Sequence, residues 1–158
     1  MEYIRPSSEL IVARTTSEQA EFRSLVRLLD AFLAERDGED HAFYAQYNTV
    51  DTIKHVVVVG YIGKIAVACG AFKEYEPGTV EIKRMYVLPE YRNCGVASTV
   101  LQHLENWARA SGYSTCILET ITPPNPAIGL YQKAGYTLIP NFGQYAGAVK
   151  SVCMKKDL

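Results

Sequence analysis

Apolar residues recur along the chain with two periods, and each period predicts a different element. From Val96 they fall at Ala97, Val100, Leu101, Leu104, Trp107 and Ala108, the three-and-four spacing of one helical face, with Gly112 as a stop. The same spacing at Phe22, Leu25, Val26, Leu29, Phe32 and Leu33 predicts an earlier helix that ends by Gly38, and Thr16-Ser17-Glu18-Gln19 before it reads as a capping box. Short runs rich in β-branched and aromatic residues predict strands at Leu10–Arg14, His55–Tyr61, Lys64–Lys73, Val80–Leu88, Ser114–Glu119, Tyr136–Ile139 and Val149–Met154. Turns at Gly63 and at Glu76-Pro77-Gly78 join the second, third and fourth of these into an antiparallel meander, and Pro89 stops the fourth. Pro123-Pro124-Asn125 interrupts the chain before a helix capped by Asn125, with Pro126 at its first position and Tyr131 within it.

Between the Val80 strand and the Val96 helix lies Arg92-Asn93-Cys94-Gly95-Val96-Ala97. The first amides of a helix have no internal partners and carry partial positive charge, so a glycine-opened turn at that point offers donors to an anion. Gly95 and the small Ala97 let a phosphate approach the backbone. A plain strand-to-helix connection containing a glycine is the competing reading. No Gly-Lys-[Ser/Thr] follows, as a P-loop needs, and there is no G-x-G-x-x-G for a dinucleotide fold.

The hexapeptide R-x-x-G-x-A matches the [QR]-x-x-G-x-[GA] signature of the GNAT superfamily of acyl-CoA-dependent N-acyltransferases. A second family pattern, Asn125-x-Ala127-x-x-Leu130-Tyr131-x-x-x-Gly135-Tyr136, follows, and the stretch from about Val56 to Met154 resembles a GNAT domain. The resemblance implies a mixed α/β (α+β) fold with a mostly antiparallel sheet of about six or seven strands and about four flanking helices. It implies acetyl-CoA as co-substrate, with pyrophosphate on the amides of Arg92, Asn93, Cys94, Gly95, Val96, Ala97 and Ser98. The thioester oxygen would meet a backbone amide of the strand residues Met85, Tyr86 and Val87, and Asn125 would touch the pantetheine arm. Glu81 matches the family's catalytic base and Tyr131 the tyrosine that protonates the departing sulfur, with Glu119 as the reserve base. A strand glutamate paired with Lys83 or Arg84, and a core tyrosine, are the structural alternatives. Two departures stand out: Cys94 where members often carry Lys, Arg or Gly, and Gly129 inside the second motif helix.

Acyl transfer to an amine needs an unprotonated nitrogen and a stabilised thiolate, so a base and an acid must both be present. A phenol with reference pKa of about 10 keeps its proton at neutral pH and can donate to a thiolate of pKa about 8.5. For the acceptor, Asp37–Asn48 and Pro140–Gly147 supply His41, Phe43, Tyr44, Tyr47 and Tyr145 as candidate walls, and Gln46, Asn48, Asn141 and Gln144 as polar groups. The expectation is a small, amino-acid-like primary amine. A peptide or protein acceptor, and an acyl-CoA sensor without turnover, are the rivals.

Bulk properties narrow the classes. A length of 158 residues, with 48% hydrophobic and 21% charged residues, suits one globular domain spanning 1–158. A net charge of -1 and a pI near 6.3 argue against a nucleic-acid partner. No apolar run approaches the ~20 residues of a bilayer span, and Met1–Pro6 lacks the build of a signal peptide, so no membrane partner and a cytoplasmic location are expected. Cys69, Cys94, Cys116 and Cys153 lack metal-ligand spacing, so no metal is expected; three are read as inert strand residues and Cys94 as incidental. A homodimer stands as one assembly to test.

Overall fold

A computed structural model describes residues 9–46, 56–121 and 126–158. Strand β1 (Leu10–Thr15) leads to helix α1 (Ala20–Asp37) and, after a 3-10 turn at Gly38–Asp40, to the short α2 (His41–Ala45). Strands β2 (Val57–Ile62), β3 (Ile65–Glu76) and β4 (Thr79–Val87) follow, then a 3-10 turn at Pro89–Tyr91 and helix α3 (Val96–Ala110). The chain ends with β5 (Thr115–Ile121), α4 (Pro126–Lys133), β6 (Thr137–Ile139), a 3-10 turn at Gly143–Tyr145 and β7 (Ser151–Asp157).

The strands form one seven-stranded sheet in the order β1-β2-β3-β4-β5-β7-β6. Pairing is antiparallel in β1–β2, β2–β3, β5–β7 and β6–β7, and parallel in β4–β5, whose connection is the α3 crossover that a parallel pair requires. This is the expected mixed, mostly antiparallel α/β architecture. By internal contacts the chain divides into two compact units, Met1–Lys73 with Lys83–Leu104, and Glu74–Ile82 with Glu105–Leu158.

In the first unit, Phe22, Leu25 and Val26 of α1 pack on Val57 and Val59 of β2 and on Cys69 and Ala71 of β3. Each large apolar side chain buried there contributes roughly 1.5–3 kcal/mol. Helix α3 lies close on β3: a Cβ built at Gly70 would stand 2.7 Å from Met85 Sδ and 2.8 Å from Leu104 Cδ1, so any larger residue would have to displace those two side chains. The start of α1 differs from the expected capping box. Gln19 is itself the N-cap, its Oε1 accepting from Phe22 N–H at 2.9 Å while its Nε2 donates to the Tyr61 hydroxyl at 2.7 Å. That tertiary anchor moves the cap from Thr16, whose hydroxyl accepts only a long 3.4 Å bond from Glu18 N–H. Phe32, expected on the core face, is 44% exposed and lies against the Arg92 guanidinium instead.

In the second unit the buried Glu105 carboxylate of α3 accepts from the Tyr136 hydroxyl at 2.8 Å and from Lys156 Nζ at 2.9 Å, so both oxygens are satisfied. The closing strand begins at Ser151 and not at Val149, which is 95% exposed. Turn bonds Ala148 N–H to Tyr145 O and Ser151 N–H to Ala148 O occupy the chain there, and Asn141 Nδ2 donates to both Ala148 O and Ser151 O. Gly129 is exposed, with nothing within 4 Å of a Cβ at that position, so close packing does not explain it.

Candidate active site

The first unit holds the anion loop. Its first helical bond runs from Thr99 N–H to Gly95 O at 3.1 Å, so Gly95 is the N-cap and the amides of Val96, Ala97 and Ser98 precede the ladder. Asn93 (φ 62°) and Gly95 (φ 86°) are left-handed and Cys94 between them is not. Such alternation turns successive N–H groups to one concave side, the form of an anion nest. The loop is braced from below. Arg92 Nε donates to Val87 O at 2.8 Å, its guanidinium lies 5.5 Å from the Tyr86 ring and 5.8 Å from the Phe32 ring, and Cys94 Sγ donates to Tyr91 O at 2.9 Å. Both Arg92 and Cys94 therefore spend a side-chain donor on the loop's own shape. These features suit the pyrophosphate of coenzyme A.

Strand β4, which leads into the loop, carries Arg84 at φ 58°, a left-handed residue in the middle of a strand. This kink immediately precedes Met85, Tyr86 and Val87. Nothing in apolar periodicity announces it.

The second unit holds the carboxylates and phenols. Glu81 faces Ile117 in the β4–β5 ladder, and Glu119 faces Cys153 in the β5–β7 ladder. Because side chains alternate along a strand, Glu81, Ile117, Glu119 and Cys153 share one sheet face. Glu81 is only 2% exposed, while Glu119 is half-buried. Tyr131 of α4 is buried, with its ring edge-on to Tyr136 at 5.8 Å. Burial, and then the charge of Glu119, pushes its phenol up to about 12. Burial likewise raises Tyr145 above the ordinary phenol range, followed by the charges of Glu81 and Glu119. The Cys153 thiol is raised to about 11, chiefly by burial, with Glu119 and Glu81 adding to it against a hydrogen bond at Phe142. Glu119 is thus the carboxylate that acts on both tyrosines, and Glu81 acts on Tyr145.

The structure brings Glu81, Glu119, Tyr131 and Tyr145 into one electrostatic set, and Arg92–Ser98 into one loop. The acceptor candidates are less open than expected. Tyr145 is 2% exposed and edge-on to Phe142 at 5.6 Å, which in turn meets Tyr75 at 5.2 Å. Tyr44 is buried and edge-on to the exposed Phe43 at 5.1 Å. Asn141 is committed to the loop backbone, and Gln46 Nε2 donates to Phe43 O at 3.0 Å. Tyr47, Asn48 and Asn125 lie outside the described residues, as does the side chain of His41.

Residues 14–136 match the model of the acetyltransferase (GNAT) family. An IAA acetyltransferase from Azospirillum brasilense is 30% identical over 93% of this chain and 97% of its own length. Among solved structures, an IAA acetyltransferase from Bacillus cereus superposes with a TM-score of 0.69 at 20% identity, covering 94% of this chain and 99% of that one. An N-acetyltransferase from Thermoplasma acidophilum in complex with coenzyme A has a TM-score of 0.65 at 13% identity, covering 94% and 99%. A GNAT acetyltransferase from Elizabethkingia anophelis with acetyl-CoA bound has a TM-score of 0.70 at 16% identity, covering 95% and 99%.

Proposed function

Because the chain belongs to the GNAT acetyltransferase family, we propose that it is an acetyl-CoA-dependent N-acetyltransferase whose acceptor is a primary amine of a small, amino-acid-like molecule. Acetyl-CoA is the acyl donor. The observation that carries the catalytic reading is a buried phenol, Tyr131, that keeps its proton within the field of Glu119, which shares one sheet face with Glu81. Tyr131 stays an O–H donor across the physiological range, as the departing sulfur requires, and Glu81 accepts the proton of the amine, through water because it is nearly enclosed. Burial, with the charge of Glu119 adding to it, holds the phenol protonated, and Glu119 is the second candidate base. The nest at Asn93–Gly95 and the amides of Val96, Ala97 and Ser98 take the pyrophosphate, and an amide of Met85 or Tyr86 receives the thioester oxygen. In this reading residues 1–158 act as one catalytic domain in the cytoplasm.

What supports the small acceptor is the aromatic content of Asp37–Asn48 and Pro140–Gly147, short segments that include Phe43, Tyr44 and Tyr145. The test is thiol release from acetyl-CoA across a library of small amines, amino acids and short peptides. Turnover confined to small amines supports the proposal; binding without turnover marks a sensor, and preference for peptides reverses the acceptor class.

A further inference from the structure

Arg84 is a costly choice for its position. A side chain at φ 58° carries about 1–2 kcal/mol of steric strain that glycine would avoid, so the residue is expected to be held by its surroundings. Two contacts hold it. Its guanidinium side chain is 1% exposed and ion-paired through Nη2 to the Asp30 carboxylate of α1, and its carbonyl accepts from the Cys69 thiol of β3 at 3.3 Å. The neighbouring Met85 side chain packs over Gly70, its Sδ 2.7 Å from where a Cβ would stand. The Arg84 Nε, also buried, has no hydrogen-bond acceptor among the described residues, so Asp30 is the anchor that the structure shows for this buried charge.

We propose that Arg84 and Asp30 form a positioning pair, which fixes the left-handed kink of β4 so that the next amides face the thioester oxygen of the acyl donor. The inference rests on the reading above that an amide of Met85 or Tyr86 receives that oxygen. A kink held by a side chain and not by glycine's freedom keeps one orientation, and a donor aimed at developing negative charge acts mainly in the transition state. Asp30 and Arg84 touch neither amine nor coenzyme A in this scheme; they act through the backbone. The Cys69 thiol supports it: burial pushes its pKa up to about 12 against the opposing charge of Arg84, so it remains an S–H donor to the Arg84 carbonyl.

The experiment compares wild type with Asp30→Ala, Asp30→Glu and Arg84→Gly. Titrations use acetyl-CoA, its S-ethyl thioether analogue, which lacks the carbonyl, and free coenzyme A. Wild type is expected to prefer acetyl-CoA to the thioether by about 3- to 10-fold, the worth of one hydrogen bond. In Asp30→Ala and Arg84→Gly that preference collapses towards unity, and kcat falls about 10- to 100-fold, by more than KM for acetyl-CoA rises. Affinity for free coenzyme A is unchanged, and Asp30→Glu recovers most of the loss. If wild type itself shows no preference for the carbonyl, the reading of the β4 amides fails and the inference falls with it. If wild type discriminates while Asp30→Ala keeps both preference and kcat, the pair is structural only and the inference alone is overturned. Asp30 is exposed on its helix, so Asp30→Ala decides even where Arg84→Gly does not fold.

Discussion

The anion loop at Arg92–Ser98 and the cluster of Glu81, Glu119, Tyr131 and Tyr145 solve opposite problems. The loop is exposed, and the donors proposed for it are amides, while Arg92 Nε and Cys94 Sγ bond to backbone carbonyls that shape it. The cluster is buried but for the half-buried Glu119, and in the proposed reading it acts through side chains, on a backbone of paired strand and helix. A site for a fixed anion can be made of main chain, whose donors do not titrate. A site that must hold and move protons needs groups whose proton affinity burial can tune.

The comparison breaks most directly at Gly95. Gly95→Glu places bulk, charge and a strained φ where the nest opens, so affinity for coenzyme A should fall by more than about 100-fold in a protein that still folds. Calorimetry with free coenzyme A reads this, and retained affinity would place the phosphates elsewhere. On the cluster side the expected effect appears in rate and not in binding. Tyr131→Phe should lower kcat by about 100-fold with coenzyme A affinity unchanged, the loss typical of one acid–base group. Glu81→Gln and Glu119→Gln, measured beside it, identify the base as the one with the larger fall.

The proton-holding property also has a pH signature. The Tyr131 phenol is raised from 10.0 to about 12, so folding favours its neutral form. That stability is fully present below about pH 10 and is lost as pH rises towards 12, because the unfolded chain gives up the proton first. Alkaline unfolding of wild type should therefore set in earlier than that of Tyr131→Phe, and any fall in kcat between pH 8 and 10 must belong to another group. Coincident unfolding profiles would separate the phenol from this effect. Arg92→Ala should weaken coenzyme A binding by only several-fold, since it loosens the loop without removing amide donors. The smallest expected effect is a gain: Gly129→Ala on the exposed side of α4, with nothing near its Cβ, should add about 0.5–1 kcal/mol to stability, read by denaturant midpoint.

Motif and period were enough to read the loop in sequence, because a helix start after a strand fixes its amides whatever the side chains do. Helix α3 was equally plain, since its apolar face repeats without interruption over Val96–Ala108. The cluster was only partly legible. Glu81 and Tyr131 stand out by resemblance, but the pairing of Glu119 with Cys153 depends on which distant strand meets β5, and register is set by tertiary packing. The start of α1 at Gln19 and that of β7 at Ser151 were hidden for the same reason: Tyr61 and Asn141 decide them from afar. The left-handed backbone at Arg84 was beyond reach, because a non-glycine residue reveals no sign of its φ.

The fit at Gly70 restricts how this chain can drift. A single added methyl would collide with Met85 and with Leu104, disturbing a neighbour of the strand kink and the helix that begins at the loop. Change at Gly70 would have to carry compensating shifts of Met85 and Leu104 with it, whereas the acceptor segments can vary without touching either, so drift in this lineage should run through those segments first.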